Sequence, residues 1–385
     1  MHATVRWAIV HHFKHLLATG EISLLYPMRM IWARFEISSM IIPLPMRWMT
    51  LILSKIDELI QNCFNLPEGE LEPLFKEAYK ASREIFSNKM AFYAPGMVHY
   101  ETEFYDATNP YRFPSISVTG KGCALNCEHC NANLLDPMIP ATTPDALWNV
   151  FNEIKEKGGS GCLISGGATP KGDTPLMNFI PTIKRAKEEL GLDIVVHTGV
   201  VYPETAKALG DAGIDGAMFD IIGSEETLRQ IYHLDEPVDI FDKSMSYLED
   251  FGVPYMPHII AGLHYGELIG EEAAIKMIAK HEPNSVVIVA FMPLDHTPMR
   301  DVTPASPMDI ARVILATRLA IPDKPLILGC ARPLGAHRRL TDKLAIDAGV
   351  NGIAYPSDEG YEYAEEKGFT LSFADQCCSL IERVL

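Results

Sequence analysis

At 385 residues, 48% hydrophobic and 22% charged, the chain is long enough to bury a large core, which excludes a disordered protein. Its formal charge of −17 excludes the nucleic-acid backbone as a partner class, because phosphate binding needs clustered Lys and Arg. Eight cysteines are too few for a disulfide scaffold at this length, and three of them fall between positions 123 and 130, so a metal site in a reducing, cytoplasmic compartment is expected.

The first fifty residues differ from the rest: they carry five Lys or Arg against two acids, with three of the four Trp and six of the 17 Met. No uninterrupted apolar run there approaches the roughly 18 to 20 residues of a membrane span, so no membrane partner is expected. The apolar stretch 37–45 is broken by Pro43 and lacks a small-residue cleavage site, which argues against a signal peptide. Residues 1–48 read as an atypical extension from a start set too early, with Met49 opening the protein proper. Helical periodicity then runs through Leu59, Ile60 and Phe64, breaks at Pro67 and resumes from Glu68 to Phe86, and residues 49–112 are expected to form a helical cap.

From Phe113 onward, short β-branched runs alternate with amphipathic segments closed by turn residues, the pattern of βα units in a parallel sheet. Strands are predicted at Ser115–Thr119, Gly161–Ser165, Asp193–Thr198, Gly216–Ile221, Tyr255–Ala261, Ser285–Phe291, Pro325–Leu328 and Gly352–Tyr355. Helical stretches separate them, including Asp145–Lys157, Pro203–Ala212 and Pro307–Ala320. Eight such strands predict a parallel (β/α)₈ barrel of the TIM type, complete or partial, over residues 113–385 with a C-terminal tail. Functional side chains then belong at the C-terminal ends of strands.

Directly after the first predicted strand stands Gly120-Lys121-Gly122-Cys123-Ala124-Leu125-Asn126-Cys127-Glu128-His129-Cys130. Three thiolates in one loop suit an iron–sulfur cluster, and a cluster with three protein ligands keeps one iron open for chemistry. The competing reading is structural zinc, which needs a fourth ligand; only His129 is close in sequence and no second C-x-x-C pair follows. After the second strand comes Ser165-Gly166-Gly167-Ala168, either a turn across which backbone meets a ligand or a plain strand-to-helix turn. Arg229, on the helix after the fourth strand, offers either a bidentate fork for a carboxylate or a solvated helix cation.

The CxxxCxxC loop after a first barrel strand resembles the defining motif of the radical S-adenosylmethionine superfamily. That resemblance implies a [4Fe-4S] cluster on Cys123, Cys127 and Cys130, with S-adenosylmethionine on its open iron. It further implies reductive cleavage of the cofactor to methionine and a 5′-deoxyadenosyl radical that abstracts hydrogen from an unactivated C–H bond. Ser165, Gly166, Gly167, Thr198, Arg229 and Gly262 are then candidate cofactor contacts, and Ala168 stands where the family carries Glu. Met292–Met299 and Leu328–Pro333 resemble segments of biotin synthase and its relatives, including archaeal lipoyl synthase-like proteins. On that likeness Arg332 matches an arginine of the auxiliary, sulfur-donating cluster, while His197 and His258 stand where biotin synthase has cysteines. Cys330 and the Cys377-Cys378 pair are left either as ligands of a different auxiliary cluster or as buried structural thiols. The implied partners are a small-molecule or carrier-protein-bound substrate, a ferredoxin or flavodoxin as reductant, and a paralogous second subunit. No acid–base or nucleophilic residue is singled out. The alternative from another class is an iron–sulfur-binding partner subunit or scaffold that does not itself cleave S-adenosylmethionine.

Overall fold

In the computed structural model the described residues are 46–96, 100–107 and 109–384. The atypical extension 1–48 lies outside them except for its last three residues, which begin helix α1 (Met46–Asn65), so the expected boundary at 48 falls inside that helix. Helix α2 (Glu72–Phe86) follows, then strand β1 (Lys89–Tyr93) and a small antiparallel pair, β2 (Tyr100–Glu101) with β3 (Asp106–Ala107).

The eight predicted strands all form, one or two residues shorter where they differ. They are β4 (Ser115–Ser117), β6 (Gly161–Ser165), β7 (Asp193–His197), β8 (Gly216–Asp220), β9 (Tyr255–Ala261), β10 (Val286–Ala290), β11 (Leu326–Leu328) and β12 (Gly352–Ala354), with the two-residue β5 (Ile139–Pro140) inserted after β4. They lie side by side in chain order and every pairing is parallel. The helices between them follow ordinary end chemistry. In α3 (Pro144–Glu156), Thr143 accepts the Ala146 N–H at 3.2 Å and Pro144 fills a position that needs no donor. The same helix buries Leu147, Val150, Phe151 and Ile154, one stripe at helical spacing worth about 1.5–3 kcal/mol per large side chain.

The sheet does not stop at eight strands. β1 pairs with β12, and a further strand, β13 (Thr370–Ala374), pairs with β1, giving eleven strands whose two end members, β5 and β13, do not pair with each other. The architecture is therefore a partial, curled barrel. Its curl is fixed by the C-terminal 3₁₀ turn Cys378–Arg383, which packs against β8 on one side and against β1 and β12 on the other, so these strands face one another across a common lumen. Arg112, just before β4, pairs with Asp375, just after β13, at 2.7 Å and spans the seam between the sheet's ends.

α1 and α2 do not cover the mouth, as a cap would. Both pack on the helix Pro307–Ala320, which is buried from Ile310 to Ala320 because the sheet lies on one side and these helices on the other. Its two arginines tolerate burial by binding carbonyl oxygens: Arg312 donates to Cys63 O at 2.7 Å, and Arg318 donates to Gly349 O at 3.0 Å and Lys324 O at 2.9 Å.

Candidate cluster and cofactor site

Ser117 ends β4, and the chain then folds into a loop closed by its own backbone. Gly122 N–H bonds Thr119 O at 3.2 Å, and both Cys130 and Asn131 donate to Cys127 O, at 3.2 and 2.8 Å. Positive φ at Gly120 (61°), Asn126 (46°), Asn131 (45°) and Ala132 (61°) tightens it so that the cysteines turn toward one place. The ligand atoms of Cys127, His129 and Cys130 lie within 4.8 Å of one another. Cys123 is close enough that its charge raises the Cys127 thiol. The Cys127 thiol donates to Cys130, and His129 adds to this, so Cys130 is pulled down to about 4.

Three neighbouring segments hold the loop. Ala124 N–H bonds Ala168 O at 2.8 Å, Glu128 N–H bonds Ile231 O at 2.9 Å, and His233 bridges Leu125 O and Glu128 Oε1, both at 2.9 Å. Gly166-Gly167 backs the loop directly: a Cβ on Gly167 would sit 2.0 Å from Gly122 O and 2.5 Å from Cys123 Cα. Thr119 Oγ1 accepts the Gly167 N–H at 2.7 Å. Gly167 is therefore required by close approach to the cysteine loop, a reason the sequence alone did not expose.

Other strand ends converge on the lumen beside the loop. His197 ends β7 and Asp220 ends β8, with His197 Nε2 3.8 Å from Asp220 Oδ1, and His258 pairs with Asp220 across β8 and β9. The two imidazoles lie 5.8 Å apart, centre to centre. Burial, reinforced by His197, pulls His258 down to about 4, so it is neutral near pH 7. Its Nδ1 lies 3.1 Å from Met256 O and must carry the proton, which leaves Nε2 as an acceptor. Tyr232 donates to Asp220 Oδ2 at 2.9 Å, and its ring centre lies 5.2 Å from that of His129. Tyr232 thus links the cysteine loop to the strand ends. It carried no signal in the sequence, whereas Asp220 was readable as a polar residue closing a barrel strand.

The remaining predicted contacts divide. Ser165 is buried at the end of β6, and Thr198, buried after β7, donates from Oγ1 to Gly199 O at 2.9 Å while keeping oxygen lone pairs free. Gly262 (φ 73°) follows β9, and its N–H is taken by Glu271 Oε1 at 2.8 Å, so it has no amide left for a ligand. Two expectations are corrected. Arg229 extends along the surface of the helix Glu225–Gln230, 57% exposed, and pairs with Glu225 at 3.3 Å. Arg332 is 0% exposed, and its guanidinium is spent on Asp342 Oδ1 (2.9 Å), Gly329 O (2.8 Å), Ala354 O (2.7 Å) and Tyr355 O (3.0 Å), so it braces the ends of β11 and β12 and binds no cluster. Sequence position could not show this, because Asp342 reaches Arg332 only through the packing of the helix Ala336–Asp347.

The three thiols suit an iron–sulfur cluster, and the buried His129 Nδ1, which has no hydrogen-bond partner, adds a polar atom at the same spot. The model of the radical SAM superfamily matches residues 117–278, from the end of β4 through the helix after β9. Residues 117–278 form a domain of the radical SAM superfamily. Among curated proteins it is 26% identical over 262 residues to a biotin synthase of Gluconobacter oxydans, covering 65% of this chain and 75% of that one. It is 21% identical over 248 residues to a biotin synthase of Allorhizobium ampelinum, covering 62% and 74%. Among radical SAM enzymes the similarity is thus to the biotin synthase-like branch. Its fold is shared with methylornithine synthase (TM-score 0.57, 17% identity, 86% of this chain and 99% of that one). A maturase of the [FeFe]-hydrogenase is similar at TM-score 0.60 and 15% identity, covering 86% and 76%. Among the described residues no helix is long and apolar enough to cross a membrane.

Proposed function

We propose that Cys123, Cys127 and Cys130 hold a [4Fe-4S] cluster whose open iron binds S-adenosylmethionine, and that the enzyme abstracts hydrogen from an unactivated C–H bond of a substrate in the lumen. The observation that carries this reading is the cysteine loop folded after β4, where the ligand atoms of Cys127, His129 and Cys130 lie within 4.8 Å of one another and Cys123 is near enough for its charge to act on Cys127. When bound, the cluster supplies the electron that cleaves the cofactor to a 5′-deoxyadenosyl radical. The Gly166-Gly167 turn keeps side chains away from the loop, and its Gly166 N–H and the Thr198 hydroxyl oxygen are the candidate polar contacts for the cofactor. Tyr232 and Asp220 form the wall between cluster and lumen, and neutral His258 presents an acceptor to the substrate without adding charge. A lumen lined by Val287, Val289, Ile327 and Ala354 excludes water from a radical step.

The reaction class we infer is sulfur insertion of the lipoyl type, supported by the likeness to biotin synthases. The substrate would be a small molecule or an acyl chain on a carrier protein, the reductant a ferredoxin or flavodoxin, and a paralogous subunit would complete the pair. Free thiols at all eight cysteines fit a reducing cytoplasm. The test is anaerobic reconstitution followed by iron analysis, electron paramagnetic resonance with and without S-adenosylmethionine, and assay of 5′-deoxyadenosine. A reduced-cluster signal that shifts on adding the cofactor, with 5′-deoxyadenosine formed and both lost in C123A/C127A/C130A, is the expected result. A cluster whose signal ignores the cofactor and that yields no 5′-deoxyadenosine would turn the reading toward a scaffold or partner subunit.

A further inference from the structure

Arg338 is a guanidinium that the fold positions and leaves without a partner. It lies in the first turn of the helix Ala336–Asp347, which follows β11 at the same end of the parallel sheet as the cysteine loop. Asp342 is four residues further on, on the same face of that helix, the spacing at which Arg and Asp ordinarily pair. Here the carboxylate is already committed. Its Oδ1 takes Arg332 Nε at 2.9 Å, and its Oδ2 takes the Ser357 N–H at 2.8 Å and the Ser357 hydroxyl at 2.9 Å. No hydrogen bond or ion pair joins Arg338 to any other of the described residues, and its Nε is buried without a hydrogen-bond partner. The next residue, Arg339, pairs with Glu359 at 3.3 Å.

The partners of its neighbours fix where Arg338 lies. Asp342 meets Arg332 and Ser357, so the helix face it shares with Arg338 is turned toward the ends of β11 and β12. Side chains on a helix lean toward its N-terminus, which here is the mouth of the lumen, so Arg338 overhangs the strand ends one turn above the buried Arg332–Asp342 pair. Tyr100 stands on the same rim: its hydroxyl donates to Pro356 O at 2.7 Å, and its ring centre lies 5.4 Å from that of Tyr355. Partial burial, then the nearby Arg332 charge, pull Arg338 below the ordinary arginine value. A half-buried cation beside a second cation carries a desolvation cost that a bound anion offsets. Ile327 of β11 and Ala354 of β12 belong to the apolar wall of the lumen, so aliphatic surface and one uncommitted cation occur together at these two strands.

We propose that Arg338 anchors the substrate at the rim of the lumen, taking an anionic oxygen group, carboxylate or phosphate, of a molecule whose aliphatic part lies against Ile327 and Ala354. The planar fork of arginine matches two oxygens of either group. Arg332 does not share the task, because its guanidinium is held by Asp342 and three carbonyls. The anchor names a substrate class for the lumen and so rests on the radical reading, yet anion binding at Arg338 is measurable without the cluster.

The test uses the full chain, reconstituted anaerobically, with hexanoate, its uncharged isostere hexanamide and inorganic phosphate as probes in titration calorimetry. Wild type is expected to bind hexanoate about tenfold or more tighter than hexanamide, the margin of one hydrogen-bonded charge. Arg338→Gln should abolish that preference with circular dichroism and iron content unchanged. Arg338→Lys should keep part of it, since the charge stays and the fork is lost, and Arg229→Ala should keep all of it. Phosphate that displaces hexanoate from wild type identifies a phosphate group as the natural anion, and phosphate that does not identifies a carboxylate. Equal affinity for hexanoate and hexanamide, no binding of either, or a preference that survives Arg338→Gln would overturn the proposal. If C123A/C127A/C130A keeps the Arg338-dependent preference while the wild-type cluster signal ignores S-adenosylmethionine, the anchor stands and the radical reading falls. If the signal shifts with the cofactor and no preference is found, the radical reading stands and the anchor falls.

Discussion

Gly167 leaves no room for even a methyl group: its missing Cβ would lie within 2.6 Å of both Cys123 Cα and Cys123 Cβ. Gly167→Ala should therefore displace the cysteine loop, lowering iron per chain and costing about 1–3 kcal/mol of stability, read from reconstitution and denaturant unfolding. The two arginines expected at the site, Arg229 toward the cofactor and Arg332 toward an auxiliary cluster, differ at the same scale. Arg332→Ala strands Asp342, which is also 0% exposed, and should cost about 3–5 kcal/mol in urea unfolding. Arg229→Ala removes one surface ion pair and should change stability by less than about 0.5 kcal/mol and leave 5′-deoxyadenosine formation at the wild-type rate. A large loss of activity in Arg229→Ala would return that residue to the cofactor site.

Among elements, the C-terminal segment has the widest reach. Leu380 packs among Val195, Met218 and Met256, and Ile381 among Ala91, Tyr93 and Ile327, so one short turn fills the floor of the lumen from opposite walls. Arg383 then ties it down by pairing with Asp193 (2.5 Å), which begins β7, and with Asp215 (2.6 Å), which precedes β8. Truncation after Asp375 should uncover this apolar floor, lower the melting temperature by several degrees and raise binding of a hydrophobic dye, with the β/α secondary structure retained by circular dichroism. An unchanged melting temperature would show that the turn only rests in the lumen without supporting the strands around it.

At the scale of the molecule, β4 and β6–β12 are one contiguous parallel run, and the cysteine loop sits at its first strand end. A ligand that binds only the assembled site stabilises the whole fold by mass action, about 2.7 kcal/mol at a hundredfold excess over its dissociation constant. S-adenosylmethionine should accordingly raise the melting temperature of the reconstituted enzyme and leave that of C123A/C127A/C130A unmoved, by anaerobic calorimetry. Equal shifts in both proteins would mean that the cofactor binds without the cluster.

The sequence by itself determined the repeating βα order, the place of the cysteine loop after the first strand and the eight strands in their spatial order, because each depends on local periodicity, turn residues and short-range spacing. Strands β1 and β13 escaped it: Lys89–Tyr93 and Thr370–Ala374 are short runs whose partners lie far away in sequence, and β1 reads as part of a helical region until β12 is beside it. Tertiary structure alone decided that the barrel stays open with an ion pair across its seam. It also decided that Arg332 is a brace, that Gly167 is a packing necessity, and that Tyr232 joins the site. These are contacts between residues distant in the chain, and side-chain fate at such contacts is set by which partner the fold delivers to each buried polar group.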